Sequence, residues 1–172
     1  MFREQQSIKV MREGLAAIYP RLWRYCLVLT GNKDNANDLA QAACLRALEK
    51  CDQFKIGTYF DRWLFRVTQR LWINEIRKQK VRQGEGLIPV EEVDIIDPKS
   101  SPEMNLFARQ VLLEVMALPE AQRTAVSLVY VEGFSYKEAA EVLDIPIGTV
   151  MSRLSAARGK LANRIKTEEE SS

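Results

Sequence analysis

Residues 135–161 read SYKEAAEVLDIPIGTVMSRLSAARGKL, and their reading decides the architecture. Ser135 followed three residues later by Glu138 is a capping box, the signature of a helix start. The helix it opens, YKEAAEVL, buries Ala139, Ala140 and Leu143. Asp144-Ile145-Pro146 breaks the period, and Thr149 sits at the opening of a second helix. At 100° per residue, Val150, Leu154, Ala157 and Leu161 form one apolar stripe. The opposite face carries Ser152, Ser155, Ala156 and Gly159. Arg153 and Lys160 stand on one shoulder and Arg158 on the other. Small residues in the centre allow close approach to base edges, and basic shoulders reach phosphates. The pattern predicts a helix-turn-helix whose second helix lies in a major groove.

Upstream, Leu118-Pro119-Glu120 ends one helix and begins another, and Gly133 ends that second one. The predicted C-terminal helices are Pro102–Ala117, Pro119–Val131, Ser135–Leu143 and Gly148–Ile165. In the N-terminal half they are Gly14–Thr30, Lys33–Cys51 and Tyr59–Arg82. Strand-like alternation is not sustained anywhere. The expected class is therefore all-α, as two small helical domains at residues 1–82 and 104–172. Between them residues 83–103, QGEGLIPVEEVDIIDPKSSPE, read as an exposed acidic linker broken by Gly, Pro and Ser. Val93, Ile95 and Ile96 within it are costly to leave in water.

Charge is distributed unevenly. The chain of 172 residues has a formal net charge of +2 and no histidine. Residues 1–82 carry 16 Lys/Arg against 8 Asp/Glu, residues 83–103 carry 1 against 6, and residues 104–172 carry 8 against 9. The positive charge thus lies in the N-terminal domain. There, Arg62, Arg66, Arg70 and Arg77 share an 80° arc of one helix, opposite Phe60, Leu64, Val67 and Leu71. Such a ridge suits a phosphate backbone. Tyr59, Phe60, Trp63, Phe65 and Trp72 cluster beside it, and rings beside cations suit unstacked bases. For Trp63 and Phe65 a place in the core is the better reading; for Tyr59 and Trp72 the two are balanced.

The preceding helix has a buried stripe of Ala36, Leu39, Ala40, Ala43 and Ala47. Asp38, Gln41, Ala42, Leu45 and Glu49 point elsewhere; an outward Leu45 hints at a docking surface, though from these residues alone a solvated face is the better reading. Other chemistry finds little support. Three cysteines (Cys26, Cys44 and Cys51) without histidine or CxxC make neither a disulfide framework nor a zinc site. No P-loop, GxGxxG or GxSxG is present. The expectation is no enzyme, no cofactor and no metal. With no signal peptide and no membrane-length apolar run, the expected location is the cytoplasm.

Taken together, DNANDLAQAACLRALEKCDQF (34–54), TYFDRWLFRVTQRLWINEIR (58–77) and LPEAQRTAVSLVYVEGFSYKEAAEVLDIPIGTVMSRLSAARGKL (118–161) resemble a bacterial sigma factor of the extracytoplasmic-function (ECF) class. Their order matches regions 2 and 4 of that family, over Leu15–Arg82 and Met104–Ile165. The resemblance implies a promoter-specificity subunit. Asp38, Leu39, Gln41, Leu45 and Arg46 would dock on the clamp helices of the largest RNA polymerase subunit, and the polymerase flap region is a further implied contact. Loop 55–61 and the helix behind it would capture unstacked non-template bases of the -10 element, through Tyr59, Arg62, Arg66, Arg70, Asn74 and Arg77. Thr149, Ser152, Arg153, Ser155, Ala156 and Arg158 would read the -35 element, and the linker would thread toward the polymerase active site. The implied partners are core RNA polymerase, promoter DNA (duplex and single-stranded) and an anti-sigma factor. Gln69-Arg70 and Asn74 depart from the family's usual Arg-Asn and Asp. A sigma-like regulatory mimic and a dimeric helix-turn-helix repressor are the competing readings; no attached receiver domain and no zipper supports either.

Overall fold

A computed structural model describes residues 2–83 and 102–170. Residues 84–101, which include most of the expected linker and its apolar Val93, Ile95 and Ile96, lie outside them. The described residues form helices and no strand, in two compact units, one built on the first three helices and the other on the last four.

The first unit contains α1 (Phe2–Thr30), α2 (Lys33–Glu49) and α3 (Phe60–Gln83). α1 begins twelve residues before the expected Gly14, because the helix runs through that glycine instead of starting at it. Only Gly31 and Asn32 separate α1 from α2. Gly31 takes φ +76° and its N–H donates to the Leu27 carbonyl at 2.8 Å, the left-handed C-terminal cap for which glycine is suited. Asn32 then caps α2 by accepting from the Asn35 N–H at 2.8 Å. So tight a joint sends α2 back along α1, and α3 packs against both.

The core holds Met11, Leu15, Ile18, Leu22, Tyr25 and Leu29 of α1. The alanine stripe of α2 and Leu64, Phe65 and Trp72 of α3 complete it. Small residues on α2 let the helix axes come close. At the centre, Tyr25 stacks at 4.8 Å on Phe65 and its buried hydroxyl donates to Gln69 Oε1 at 2.6 Å. Tyr25→Phe strands that oxygen in the core. It should lower stability by about 1–3 kcal/mol in chemical denaturation, with little change in m-value. Burial pushes the Cys26 thiol up to about 12, so it stays protonated and acts as an apolar filler.

The second unit contains α4 (Pro102–Met116), α5 (Glu120–Val126), α6 (Tyr136–Leu143) and α7 (Ile147–Glu170). Its core gathers Val115, Met116, Leu118, Ala125, Val126, Leu128 and Phe134 against Val150, Leu154 and Ala157. The expected helix Pro119–Val131 is corrected in its last turn. Ser127–Val131 winds as a π-helical turn, and the Glu132 N–H donates to the Ser127 carbonyl, five residues back, at 2.9 Å. Arg164 of α7 reaches the end of α4: its guanidinium lies 3.0 Å from Glu114 Oε2 and 3.4 Å from the Ala117 carbonyl. A cation there meets the negative end of the α4 dipole.

Candidate nucleic-acid and partner interfaces

In α2, Ala36, Leu39, Ala40, Ala43 and Ala47 are buried, the stripe expected from the wheel. Asp38, Gln41, Leu45 and Arg46 are exposed on the other side. Leu39, named with them, belongs to the packed stripe at 8% exposure. Leu45 is 60% exposed, an apolar side chain standing among polar neighbours. Arg46 lies 3.3 Å from Glu49 along the same helix.

Between α2 and α3, a short 3-10 turn (Cys51–Gln53) leads into the loop around Lys55–Tyr59. The Thr58 hydroxyl donates to the Lys55 carbonyl at 2.6 Å, and Gly57 takes φ +91°, which keeps the loop tight. Ile56 and Tyr59 project from it, Tyr59 with 66% of its surface exposed. Phe54, Phe60 and Trp63 pack ring against ring beneath, with Phe54 5.3 Å from Phe60 and 5.4 Å from Trp63. Phe65 and Trp72 are buried. Of the five clustered aromatics, Tyr59 alone stands mainly in solvent.

The basic ridge of α3 starts at this loop. The Arg62 guanidinium covers one face of the Tyr59 ring at 3.7 Å. Arg62 and Arg66 are half-buried, while Arg70, Asn74 and Arg77 are exposed. Over Arg62–Arg77 the helix rises roughly 22 Å, so the ridge can follow several phosphates. Gln69 is no part of it: it faces inward and accepts from Tyr25. Replacing Arg70 and Arg77 with alanine should lower the slope of log K against log salt by roughly 1.4 to 1.8, as expected for two lost phosphate contacts. Filter binding to DNA between low and moderate salt checks this.

In the second unit the capping box is present. The Ser135 N–H donates to Glu138 Oε2 at 2.8 Å, and the Glu138 N–H donates to Ser135 Oγ at 3.2 Å. Ala139, Ala140, Val142 and Leu143 of α6 are buried. Asp144 carries φ 55°, a left-handed residue that redirects the chain into α7. Val150, Leu154 and Ala157 are fully buried and Leu161 half-buried. Ser152, Ser155, Ala156, Arg158 and Gly159 are exposed, with Thr149 and Arg153 half-exposed. The Ser152 hydroxyl donates to the Thr149 carbonyl at 3.0 Å and keeps its acceptor lone pairs outward.

Arg158 has a partner the sequence reading missed. Its guanidinium donates to the Tyr130 hydroxyl at 2.8 Å. Hydrogen bonds to Tyr130 and then Tyr136 raise its already high pKa. Tyr130 lies on the π-helical turn, where a helical wheel misplaces it. Among the described residues no helix is long and apolar enough to cross a membrane.

Comparison with known proteins accounts for both units. Residues 15–82 match the family model for sigma-70 region 2, and residues 108–161 match that for sigma-70 region 4. The ECF RNA polymerase sigma factor EcfG of Rhodopseudomonas palustris is 32% identical over 88% of this chain and 83% of its own. SigW of Bacillus subtilis is 30% identical over 85% and 83%. A solved structure of the sigma factor RpoE in complex with the anti-sigma factor NepR, from Bartonella quintana, superimposes with a TM-score of 0.78. It is 28% identical and covers 92% of this chain and 98% of that one. The fold and the paired surfaces therefore define a two-region sigma factor. The chain belongs to the ECF RNA polymerase sigma factors.

Proposed function

We propose that this chain is a cytoplasmic promoter-specificity subunit that lends core RNA polymerase its choice of start site and has no catalytic centre of its own. Residues 1–82 bind core polymerase and open the -10 element, residues 83–103 connect, and residues 104–172 read the -35 element. Asp38, Gln41, Leu45 and Arg46 meet the clamp helices, with Leu39 holding their helix in place. Tyr59 takes up an unstacked non-template base while Arg62, Arg66, Arg70, Asn74 and Arg77 hold the strand. Thr149, Ser152, Arg153, Ser155, Ala156 and Arg158 face the -35 duplex.

One observation carries this reading: an exposed tyrosine stands at the head of an arginine ridge, with an arginine laid on its ring at 3.7 Å. Extruding a base costs a few kcal/mol, and stacking plus phosphate neutralisation offsets a cost of that size. The helix-turn-helix is sparse in bases and its half of the chain is not net positive. It therefore binds measurably only when polymerase holds both regions on one promoter.

The solved relative bound to an anti-sigma factor supports control of this chain by a partner of that kind, and the regulon proposed for it is one of stress or envelope response. The deciding experiment is reconstitution with core polymerase on genomic DNA, with transcripts sequenced. Initiation at a defined set of promoters is expected. No specific initiation, or a two-fold symmetric footprint on duplex DNA without polymerase, would sink the proposal.

A further inference from the structure

Glycine is a poor helix former, yet Gly14 lies well inside α1. A Cβ there would stand 2.8 Å from Phe60 Cε1, 3.0 Å from Cδ1 and 3.3 Å from Cζ. The bare backbone of α1 is thus a seat for the edge of the Phe60 ring. That ring is held from its other sides as well. Phe54 meets it edge-on at 5.3 Å and 82°, and Trp63 lies 6.1 Å away. Phe54 precedes the loop Lys55–Tyr59 and Phe60 follows it. Both stems of the loop therefore end in one ring cluster, and the cluster rests on Gly14. One residue further on, Asp61 lies 3.7 Å from Arg21, a second tie between α3 and α1.

We infer that Gly14 is a positioning residue for promoter opening: it sets the height of the loop, and so the place of the exposed Tyr59 ring. The inference rests on the base-capturing role proposed above for that loop. A methyl group at residue 14 cannot be absorbed by a free side-chain end. It has to move a ring pinned by two others, and the adjacent Tyr59 moves with it. Displacements near 1 Å at a site that must meet its target precisely cost up to about 100-fold in rate.

The test uses the full-length chain bound to core polymerase, with 2-aminopurine in the -10 region of a duplex promoter. Gly14→Ala should slow the fluorescence rise about 10-fold or more, while affinity for core polymerase stays within about twofold. Adding Phe60→Leu to Gly14→Ala frees the seat and should recover a large part of the rate. A merely structural role would lower core affinity in parallel, so the rescue counts only with that affinity unchanged. Opening at the parental rate in Gly14→Ala would overturn the inference, as would a parallel loss of core binding or failure of the rescue. Tyr59→Ala separates the two levels. If it opens promoters normally, the base-capturing role itself is wrong. If it is defective while Gly14→Ala is normal, only the seat is wrong.

Discussion

Leu45→Glu should weaken association with core RNA polymerase by about 100-fold while leaving the fold intact. Burying a leucine side chain in a partner contributes about 1.5–3 kcal/mol. A carboxylate in its place must shed water without an assured counter-charge, which adds to the loss. Leu45 is 60% exposed in the free chain and lies inside α2, one turn before its end, where Glu and Leu have similar helix propensities. Folding stability should therefore stay within the range of a neutral surface change, roughly 0.5 kcal/mol. Fluorescence anisotropy with labelled protein and core enzyme measures the first quantity, and thermal unfolding the second. Unchanged affinity would remove α2 from the polymerase interface.

Tyr59→Ala should cut promoter opening about 5- to 150-fold, the equivalent of one lost stacking interaction of about 1–3 kcal/mol. Tyr59→Phe should keep most of the activity, because the stacking face and the Arg62 contact do not need the hydroxyl. The defect belongs to opening and not to docking, so affinity for core polymerase should hold. Because Arg62 lies on the Tyr59 ring, Arg62→Ala combined with Tyr59→Ala should cost less than the two effects multiplied together. Permanganate footprinting of the -10 thymines provides the readout. Equal opening by Tyr59→Ala and the parent would refute a stacking role.

Helical periodicity made much of this molecule legible before any coordinates. The α2 stripe of Ala36, Leu39, Ala40, Ala43 and Ala47 and the α7 stripe of Val150, Leu154 and Ala157 are where the wheel places them. The Ser135–Glu138 cap depends on four consecutive residues, and local signals of that kind survive folding unchanged. What escaped depends on distant partners. Gly14 reads as a helix start until Phe60, 46 positions away, is seen resting on it. Gln69 reads only as a departure from the family's usual residue until the Tyr25 hydroxyl is seen donating to it. The run SLVYV has nothing in its composition that separates a π turn from an α turn, so Tyr130 could not be aimed. The balance between core and surface at Tyr59 and Trp72 was likewise decided by packing: Trp72 is buried and Tyr59 is not.

The π turn has a consequence for how its own helix meets α7. A turn of this kind holds one residue more than an α turn, as a single codon inserted into a helix would leave behind. The insertion re-aims every later residue of that helix by about 100° relative to what preceded it. Here the re-aimed position is Tyr130, whose hydroxyl accepts from Arg158. Without the extra residue that tyrosine would turn away, and Arg158 would lose this hydrogen bond. The length of this helix, counted in single residues, is thus part of how Arg158 of α7 is held.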